Sequence, residues 1–369
     1  SAHADPAPGA TARGAARQPN DPGRGRPRRT DRPAARPRAD TLSERVRDAL
    51  QLDRHGLSTT ELPIPVAMTP DRAVRLSAQG AEEVGDGDGW RRHHAFLDRI
   101  APLARTWLSD PPPSIGANDA IIPLAKRALQ LRRLGRADMF ELLRVGPSCV
   151  DDFLSETLTD PLLRAGLMLP ALHGTWMGPR SPQSTAMYLL RHVLRSAAVS
   201  GGPVALVRAL VAACASAGVQ IQCSADVQRV ELQGGRVTGV TLADGTTVEA
   251  PVVVSTIGPR ETLTGLIPPK MQRPAQTEAI TKVRTRGTWG AVHLAIEGPL
   301  RFHAADEQPV HQAILASDPL AIERCFDDIK YRRPPRSPVL DITIPTAVDP
   351  KLTPNNITII NTTTLINHN

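Results

Sequence analysis

Residues 234–259 read GGRVTGVTLADGTTVEAPVVVSTIGP, a run in which short strand patterns alternate with glycine turns. Its Gly-Gly and Asp-Gly dipeptides supply the positive φ angles that tight hairpins need. Together with the preceding ADVQRVEL, the run predicts a three-stranded antiparallel meander. The apolar stretch VVVS (252–255) predicts a further strand that is covered on both faces, as in a parallel sheet.

A helix is predicted immediately before the meander. Gly218 would end this helix, and VQIQC (219–223) predicts a short strand after it. One face of the helix is apolar by the i, i+3, i+4 rule, so we expect that face to be buried. It consists of Val204, Val207, Leu210, Val211 and Cys214.

The rest of the chain separates into helical and strand-rich parts. A helix capped by Thr41 or Ser43 is expected to stop at Gly56, and 57–77 predicts short strands around the turn Pro70-Asp71.

The charged glycine run 80–89 is interpreted as a linker, because no buried strand precedes it and its acids would repel a phosphate. Residues 90–200 show helical spacing, and GTWGAVHLAIEG (287–298) and PVLDITIP (338–345) predict sheet strands.

The helix, strand, meander and strand of 203–258 resemble the FAD-domain segment of flavoproteins of the phytoene desaturase and amine oxidase type. The resemblance implies that the backbone of Val227 faces the adenine of FAD. It also implies that the loop STIGP passes close to the cofactor. The cofactor-binding residues implied in this loop are Ser255, Thr256, Ile257 and Gly258.

Two further segments carry the same resemblance. LHGTWMGPRSPQSTAMYLLRH (172–192) is similar to the family's segment beside the substrate cavity, with Gln183 where the family usually has Gly. Residues 323–350 are similar to the phytoene dehydrogenase-like branch, which includes proteins named for pyridine nucleotide-disulphide oxidoreductases. The cavity residues implied by the first segment are Gly174, Trp176, Gly178, Pro179 and Thr185.

The resemblance implies an α/β fold, specifically an incomplete two-domain flavoprotein fold. It would combine a partial FAD-binding Rossmann-like domain that carries the β-meander with an α+β substrate domain. The implied organisation is a disordered arm (1–40), a mostly helical first part of the substrate domain (41–200), a remnant of the FAD domain (201–268), a second part of the substrate domain (269–352) and an atypical Asn/Thr-rich tail (353–369).

The implied function is FAD-dependent hydride transfer to or from a hydrophobic small molecule, such as a carotenoid, a retinoid or a quinone. No catalytic residue is named by the pattern, because the flavin supplies the chemistry. The sequence contains no Gly-x-Gly-x-x-Gly loop for the pyrophosphate. We therefore expect the chain to be truncated relative to the family and to bind FAD poorly. A catalytically inactive fragment or paralogue is the alternative.

Composition argues against three other kinds of site: a dithiol centre, a metal site and a nucleic-acid interface. The four cysteines lie far apart and form no Cys-x-x-Cys, which argues against a dithiol centre and favours a reducing cytoplasm. No metal-ligand spacing is present. The arm 1–40 holds nine Arg and four Asp, so a basic nucleic-acid binder is a further alternative, but the arm has no aromatic residue to stack on a base. No specific nucleic acid is expected.

The predicted sites also admit structural interpretations. Peripheral contact with a membrane stays open for a lipophilic substrate, although no amphipathic anchor is visible in the sequence. Core packing of Trp176 and Tyr188, structural roles of His173 and His192, and helix capping by Ser255 or Thr256 are the corresponding structural alternatives.

Overall fold

A computed structural model describes the greater part of the chain, and all structural statements concern the residues that it describes. The Arg-rich arm and the two predicted helix caps, Thr41 and Ser43, lie outside them. The described residues are 42, 44–110, 121–193, 197–283, 287–305, 309–353 and 356–365.

Twelve α-helices are assigned among these residues, most of them before residue 220. They are α1 (Glu44–Ala49), α2 (Ala78–Glu83), α3 (Gly87–Ser109), α4 (Ile121–Arg132), α5 (Arg136–Val145), α6 (Val150–Ser155), α7 (Pro161–Leu172), α8 (Ser184–His192), α9 (Gly202–Ser216), α10 (Pro259–Glu261), α11 (Pro274–Lys282) and α12 (Pro319–Lys330). A single π-turn (Thr262–Leu266) and four short 3-10 turns connect the later elements.

Eleven strands are assigned in the same part of the chain. They are β1 (Thr59–Glu61), β2 (Val66–Met68), β3 (Ala73–Arg75), β4 (Ala197–Val199), β5 (Val227–Gln233), β6 (Arg236–Leu242), β7 (Thr247–Glu249), β8 (Gly290–Glu297), β9 (Gln312–Leu315), β10 (Leu340–Thr343) and β11 (Ile357–Thr364).

The strands form three sheets. Six of them pair in the order β3-β2-β9-β10-β11-β8, and every neighbouring pair is antiparallel except β2 and β9. The meander β5-β6-β7 is a separate sheet, and β1 pairs with β4. The described chain is therefore a mixed helix and sheet structure, in agreement with the predicted α/β class.

Helix α7 packs on one face of the six-stranded sheet, where the largest hydrophobic core lies. Gly166 in α7 permits this approach, because a Cβ atom there would stand 2.6 Å from the Cβ atom of Ala67 in β2. Side chains of α3, α6, α8 and α12 complete the core around α7.

The meander confirms the sequence prediction in its strands and in its turns. Gly234, Gly235 and Gly245 have φ angles of +58°, +78° and +87°, the left-handed region that the hairpins require. Helix α1 is shorter than expected, since it ends at Ala49 and turns carry the chain to Gly56.

Two predicted strands around the meander are wrong. Neither 219–223 nor 252–255 is a strand, and Val252 and Val254 are 74% and 84% exposed. A strand with both faces covered lies inside a sheet, between two neighbouring strands. No described strand pairs with either of these segments.

Helix α9 forms as predicted, but its orientation differs from the prediction. Val204, Val207 and Val211 are exposed, whereas Ala209 and Ala213 are buried. The helix packs on the cluster that contains Leu52, Leu57 and Val199 through Ala209 and Ala213, with Leu206 and Leu210 beside them. The three valines of the predicted face are therefore exposed, whereas Leu210 of the same face packs as predicted.

The charged run 80–89 is wrongly predicted as a linker, because it contains the end of α2 and the start of α3. Asp86 between them is buried, and its carboxylate accepts hydrogen bonds from the Thr159 backbone N–H, the Thr159 hydroxyl and the Asp160 backbone N–H at 2.7 to 2.9 Å. Burial alone would raise the pKa of Asp86, but these hydrogen bonds together lower it. The run therefore joins the start of α3 to the start of α7.

Strand β11 lies within the segment that the sequence marks as an atypical tail. It pairs with β10 along Leu340–Thr343 and with β8 along its full length. The predicted boundary between residues 352 and 353 therefore falls inside one sheet.

Replacing Asp86 tests its role as the junction. We expect Asp86→Asn to lower the free energy of unfolding by about 3 kcal/mol, because hydrogen bonds to a buried charged acceptor are strong. Urea denaturation followed by circular dichroism measures this loss. Asp88→Asn is the matched control, since Asp88 lies on the same turn and its side chain is 82% exposed. Equal midpoints for the two variants would contradict the role of Asp86.

Buried histidines between α3 and α8 predict a pH dependence of stability. Burial lowers the pKa of His93 to about 3 and that of His192 to about 4, and it also lowers the pKa of His94. The imidazolium ring of His192 would repel that of His94, and Asp98 offsets this only in part. His93 Nε2 lies 2.8 Å from the Tyr188 hydroxyl, so Tyr188 has the core role that was one of its two interpretations.

Because these pKa values are depressed, the unfolded chain binds more protons than the folded chain below the ordinary histidine pKa. The free energy of unfolding should therefore be highest above pH 6.5 and fall as the pH is lowered toward 4. At pH 5, His93 alone should account for a loss of about 2 kcal/mol. Urea titrations from pH 5 to pH 7 measure the slope. His93→Gln should flatten it, and the exposed His303→Gln should leave it unchanged.

Candidate functional site

Val227, whose backbone the resemblance implies to face the adenine, lies on the outer edge of the meander. β5 is the outermost strand of its sheet, and Val227 is opposite Leu242. The Ala243 N–H donates to the Asp226 carbonyl at 2.8 Å, which makes Val227 and Leu242 a non-hydrogen-bonded pair. The N–H and C=O of Val227 therefore point away from β6, toward the open edge. An adenine edge presents a complementary acceptor and donor.

The loop implied to pass near the cofactor lies beside this strand. It leads into α10 and the π-turn Thr262–Leu266, which contacts β5. The Ser255 hydroxyl lies 2.7 Å from the Thr262 hydroxyl. Gly258 is the N-cap of α10 with φ −53°, so its conformation is open to any residue. Residues 255–258, including Thr256 and Ile257, are exposed.

The described residues fit the adenine half of FAD better than its pyrophosphate. An open backbone edge and an exposed loop are present at Val227 and 255–258. Among the described residues, β4 leads through Gly201 and Gly202 into α9, but β4 pairs antiparallel with β1 and the turn lacks the Gly-x-Gly-x-x-Gly spacing of a dinucleotide-binding unit. We therefore derive no catalytic step through the flavin from this structure.

The residues implied to line the substrate cavity form a packed segment between α7 and α8. At Gly178 a Cβ atom would stand 2.6 Å from the Phe326 ring, and the ring of Trp176 lies edge-on to Phe326 with centroids 6.1 Å apart. Gly174 has a φ angle of +74°. In the described structure, the contacts of Gly178 and Trp176 with Phe326 attach the segment to α12.

The other two implied cavity residues make hydrogen bonds to residues at the start of α6. The Pro179 carbonyl accepts from the Asp151 N–H, and the buried Thr185 hydroxyl lies 3.0 Å from the Ser148 hydroxyl. Contact of these five residues with a substrate stays a prediction.

One pocket of about 610 Å³ opens elsewhere, where β8 and β11 meet the turns at 345–352. Its lining includes Pro299, Leu300, Arg301, Val310 and Ile344, and it includes none of the residues implied for the substrate cavity.

A row of polar side chains crosses the six-stranded sheet, and sequence analysis did not find it. Gln312, Thr343, Asn361 and His293 are successive register partners on β9, β10, β11 and β8. Gln312 Nε2 donates to Asp341 Oδ1 at 2.8 Å. Polar residues inside otherwise apolar strand patterns were the available signal, but their juxtaposition depends on long-range register.

Next to this row, an aromatic and a histidine cover the buried carboxylate of Asp341. His173 Nδ1 lies 3.6 Å from Asp341 Oδ2, and the His173 ring stacks on the Trp289 ring with centroids 6.3 Å apart. The Thr288 hydroxyl donates to the Thr175 carbonyl at 2.6 Å. These contacts attach the start of β8 to the segment that follows α7.

In this structure, no described group of His, Cys, Asp and Glu side chains could hold a metal ion. Likewise, none of the described helices is both long and apolar enough to cross a bilayer.

Comparisons with known proteins identify one matching family model and several similar proteins. Residues 180–307 match the family model DAO, described as FAD dependent oxidoreductase. The chain is 27% identical over 354 residues to the mouse (Mus musculus) protein named pyridine nucleotide-disulfide oxidoreductase domain-containing protein 2. The aligned region covers 83% of this chain and 60% of the mouse protein. The matched family is one of FAD-dependent oxidoreductases, in agreement with the predicted cofactor, FAD, and the predicted class, an oxidoreductase.

Solved structures are similar at low identity. A Methanosarcina mazei oxidoreductase aligns at 12% identity and a TM-score of 0.47, over 86% of this chain and 64% of that one. Putrescine oxidase bound to putrescine aligns at 13% identity and a TM-score of 0.46, over 90% and 63% of the two chains. The chain spans 60 to 62% of the length of the curated relatives that it matches.

Gln183 is the single departure from the implied motif, and substitutions there test its effect on stability. It has a φ angle of +67°, in the left-handed region that favours the glycine usual at this position of the family. We expect Gln183→Gly to raise the free energy of unfolding by about 1 kcal/mol, because a side chain in this region is strained. Gln183→Ala keeps the strain and should change stability little. Urea denaturation compares them, and a glycine variant less stable than the alanine variant would contradict the explanation.

Proposed function

We propose that this chain carries part of a phytoene dehydrogenase-like FAD-dependent oxidoreductase that transfers hydride to or from a hydrophobic substrate. The observation that carries the proposal is the FAD dependent oxidoreductase match over 180–307. That range contains the meander with the open edge at Val227, the loop 255–258 and strand β8.

When bound, FAD accepts or returns the hydride, and the protein contributes binding, orientation and exclusion of water. The residues proposed to hold it are Val227 through its backbone and the loop 255–258. The support for Val227 is the outward direction of its N–H and C=O groups, because they meet the adenine edge without breaking a ladder bond.

An apolar substrate is supported by aliphatic and aromatic side chains on β8 and just before it. Trp289, Val292 and Leu294 are 43%, 54% and 45% exposed. The proposed substrate class remains the hydrophobic one of carotenoid-, retinoid- or quinone-like molecules. The proposed setting is the cytoplasm, with contact at a membrane surface where a lipophilic substrate is delivered.

We further propose that this chain alone holds FAD weakly, because its sequence has no Gly-x-Gly-x-x-Gly loop for the pyrophosphate. Absorbance of the purified protein tests this directly. We expect less than one flavin per chain after gel filtration, and a stoichiometric flavin spectrum would overturn this part of the proposal. The missing loop also favours the second candidate, a catalytically inactive fragment or paralogue, which predicts no substrate-dependent flavin reduction at any FAD concentration.

A backbone substitution tests the adenine site. We expect Val227→Pro to weaken FAD binding about tenfold, because proline removes the outward N–H that adenine would accept from. Val227→Ala keeps that N–H and should change the dissociation constant by less than about twofold. Quenching of FAD fluorescence measures the dissociation constant. Equal affinity of the two variants, with circular dichroism showing an intact meander in both, would sink the assignment of Val227.

A further inference from the structure

The polar row contains one histidine on the outermost strand of the six-stranded sheet. His293 Nδ1 lies 2.7 Å from Asn361 Oδ1. With Asn361 Oδ1 placed toward the ring, the neutral His293 ring carries its proton on Nδ1, because an amide oxygen can only accept a hydrogen bond. The lone pair is then on Nε2, for which the described residues provide no hydrogen-bond partner. The Asn361 side chain thus orients His293 as a hydrogen-bond acceptor.

The same pair leaves one hydrogen-bond donor unused. Asn361 is only 3% exposed, and its Nδ2 atom has no partner among the described residues. Buried donors are normally paired, and each exception calls for an explanation. A ligand oxygen that reached this end of the row would supply the missing acceptor.

A flat apolar surface adjoins the histidine. Trp289, Ala291, His293 and Ala295 alternate along one side of the chain, and the three residues other than His293 are exposed. The ring of Trp289 is held in place by stacking on His173. The charged residue of β8 is Glu297 at its end, so the strand offers no cation to a carboxylate or a phosphate. These features favour a neutral, planar ligand.

We propose that this face of β8 binds a planar conjugated molecule that carries a hydroxyl group. Its rings lie over Trp289 and Ala291, and its hydroxyl donates a hydrogen bond to His293 Nε2, with Asn361 as the positioning residue. A hydroxyl is favoured because it can donate a hydrogen bond to the Nε2 lone pair, which an ether or an unsubstituted ring cannot. As the identity of the substrate, this proposal rests on the proposed flavin function; as a binding site, it stands without FAD.

Three ligands of similar size distinguish the contribution of the hydroxyl to binding from that of the rings. Equilibrium dialysis of the full chain, without FAD, compares 2-naphthol (donor and acceptor), 2-methoxynaphthalene (acceptor) and naphthalene (neither). We expect 2-naphthol to bind about fivefold more tightly than 2-methoxynaphthalene, the difference made by one hydrogen bond to Nε2. Equal affinities, or no binding of any of the three, would overturn the proposal.

Substitutions at His293 and Trp289 test which residue is responsible for the preference for 2-naphthol. His293→Phe should abolish the preference for 2-naphthol while keeping binding of naphthalene, and Trp289→Ala should weaken all three ligands. Val248→Ala, an exposed valine on β7 outside this surface, is the matched control and should change none of them. A preference that survives in a folded His293→Phe protein would contradict the assignment.

The role of Asn361 needs a readout that mere packing would not move. Asn361→Leu removes the acceptor for Nδ1–H and should lose the preference for 2-naphthol, whereas Asn361→Gln keeps a neutral amide acceptor and should retain it. Nitrogen-15 NMR of the unmodified chain should show His293 protonated at Nδ1, and protonation at Nε2 alone would overturn the proposal without any variant. Flavin retention is measured separately, so failure of FAD binding and failure of this site remain distinguishable.

Discussion

The pairing of β11 between β10 and β8 is the interaction on which the candidate ligand surface depends. β8 is an outer strand, and in the described sheet β11 is its partner along the full length of both strands. The same pairing brings Asn361 beside His293 and continues the polar row to Thr343 and Gln312. A register shift of one residue would turn Asn361 to the opposite face and break this row.

A second constraint acts in the meander. Hairpin geometry decides which backbone groups of β5 pair with β6 and which point outward, and at Val227 both groups point outward. The FAD dependent oxidoreductase match over 180–307 includes this edge as well as β8. We thus propose cofactor recognition by backbone groups of one sheet and ligand recognition by side chains of another.

Local patterns in the sequence predicted what local physics determines. The meander and its positive-φ glycines were predictable, since hairpin turns are set by adjacent residues. The segment 252–255 was predicted wrongly because its apolar composition indicates burial but cannot show which strands are available to cover it. Asp86 looked like part of a linker because its partners, Thr159 and Asp160, are distant in sequence. The polar row was missed for the same reason, since its members are far apart in the chain.

Amide hydrogen exchange with and without millimolar FAD tests the proposed recognition of the cofactor by the open edge of β5. The Val227 amide should exchange quickly in the free chain, because it has no ladder partner, and should slow when FAD is added. Amides that are already paired within β6 should change little. An unchanged Val227 amide at FAD concentrations that saturate the fluorescence signal would contradict the account.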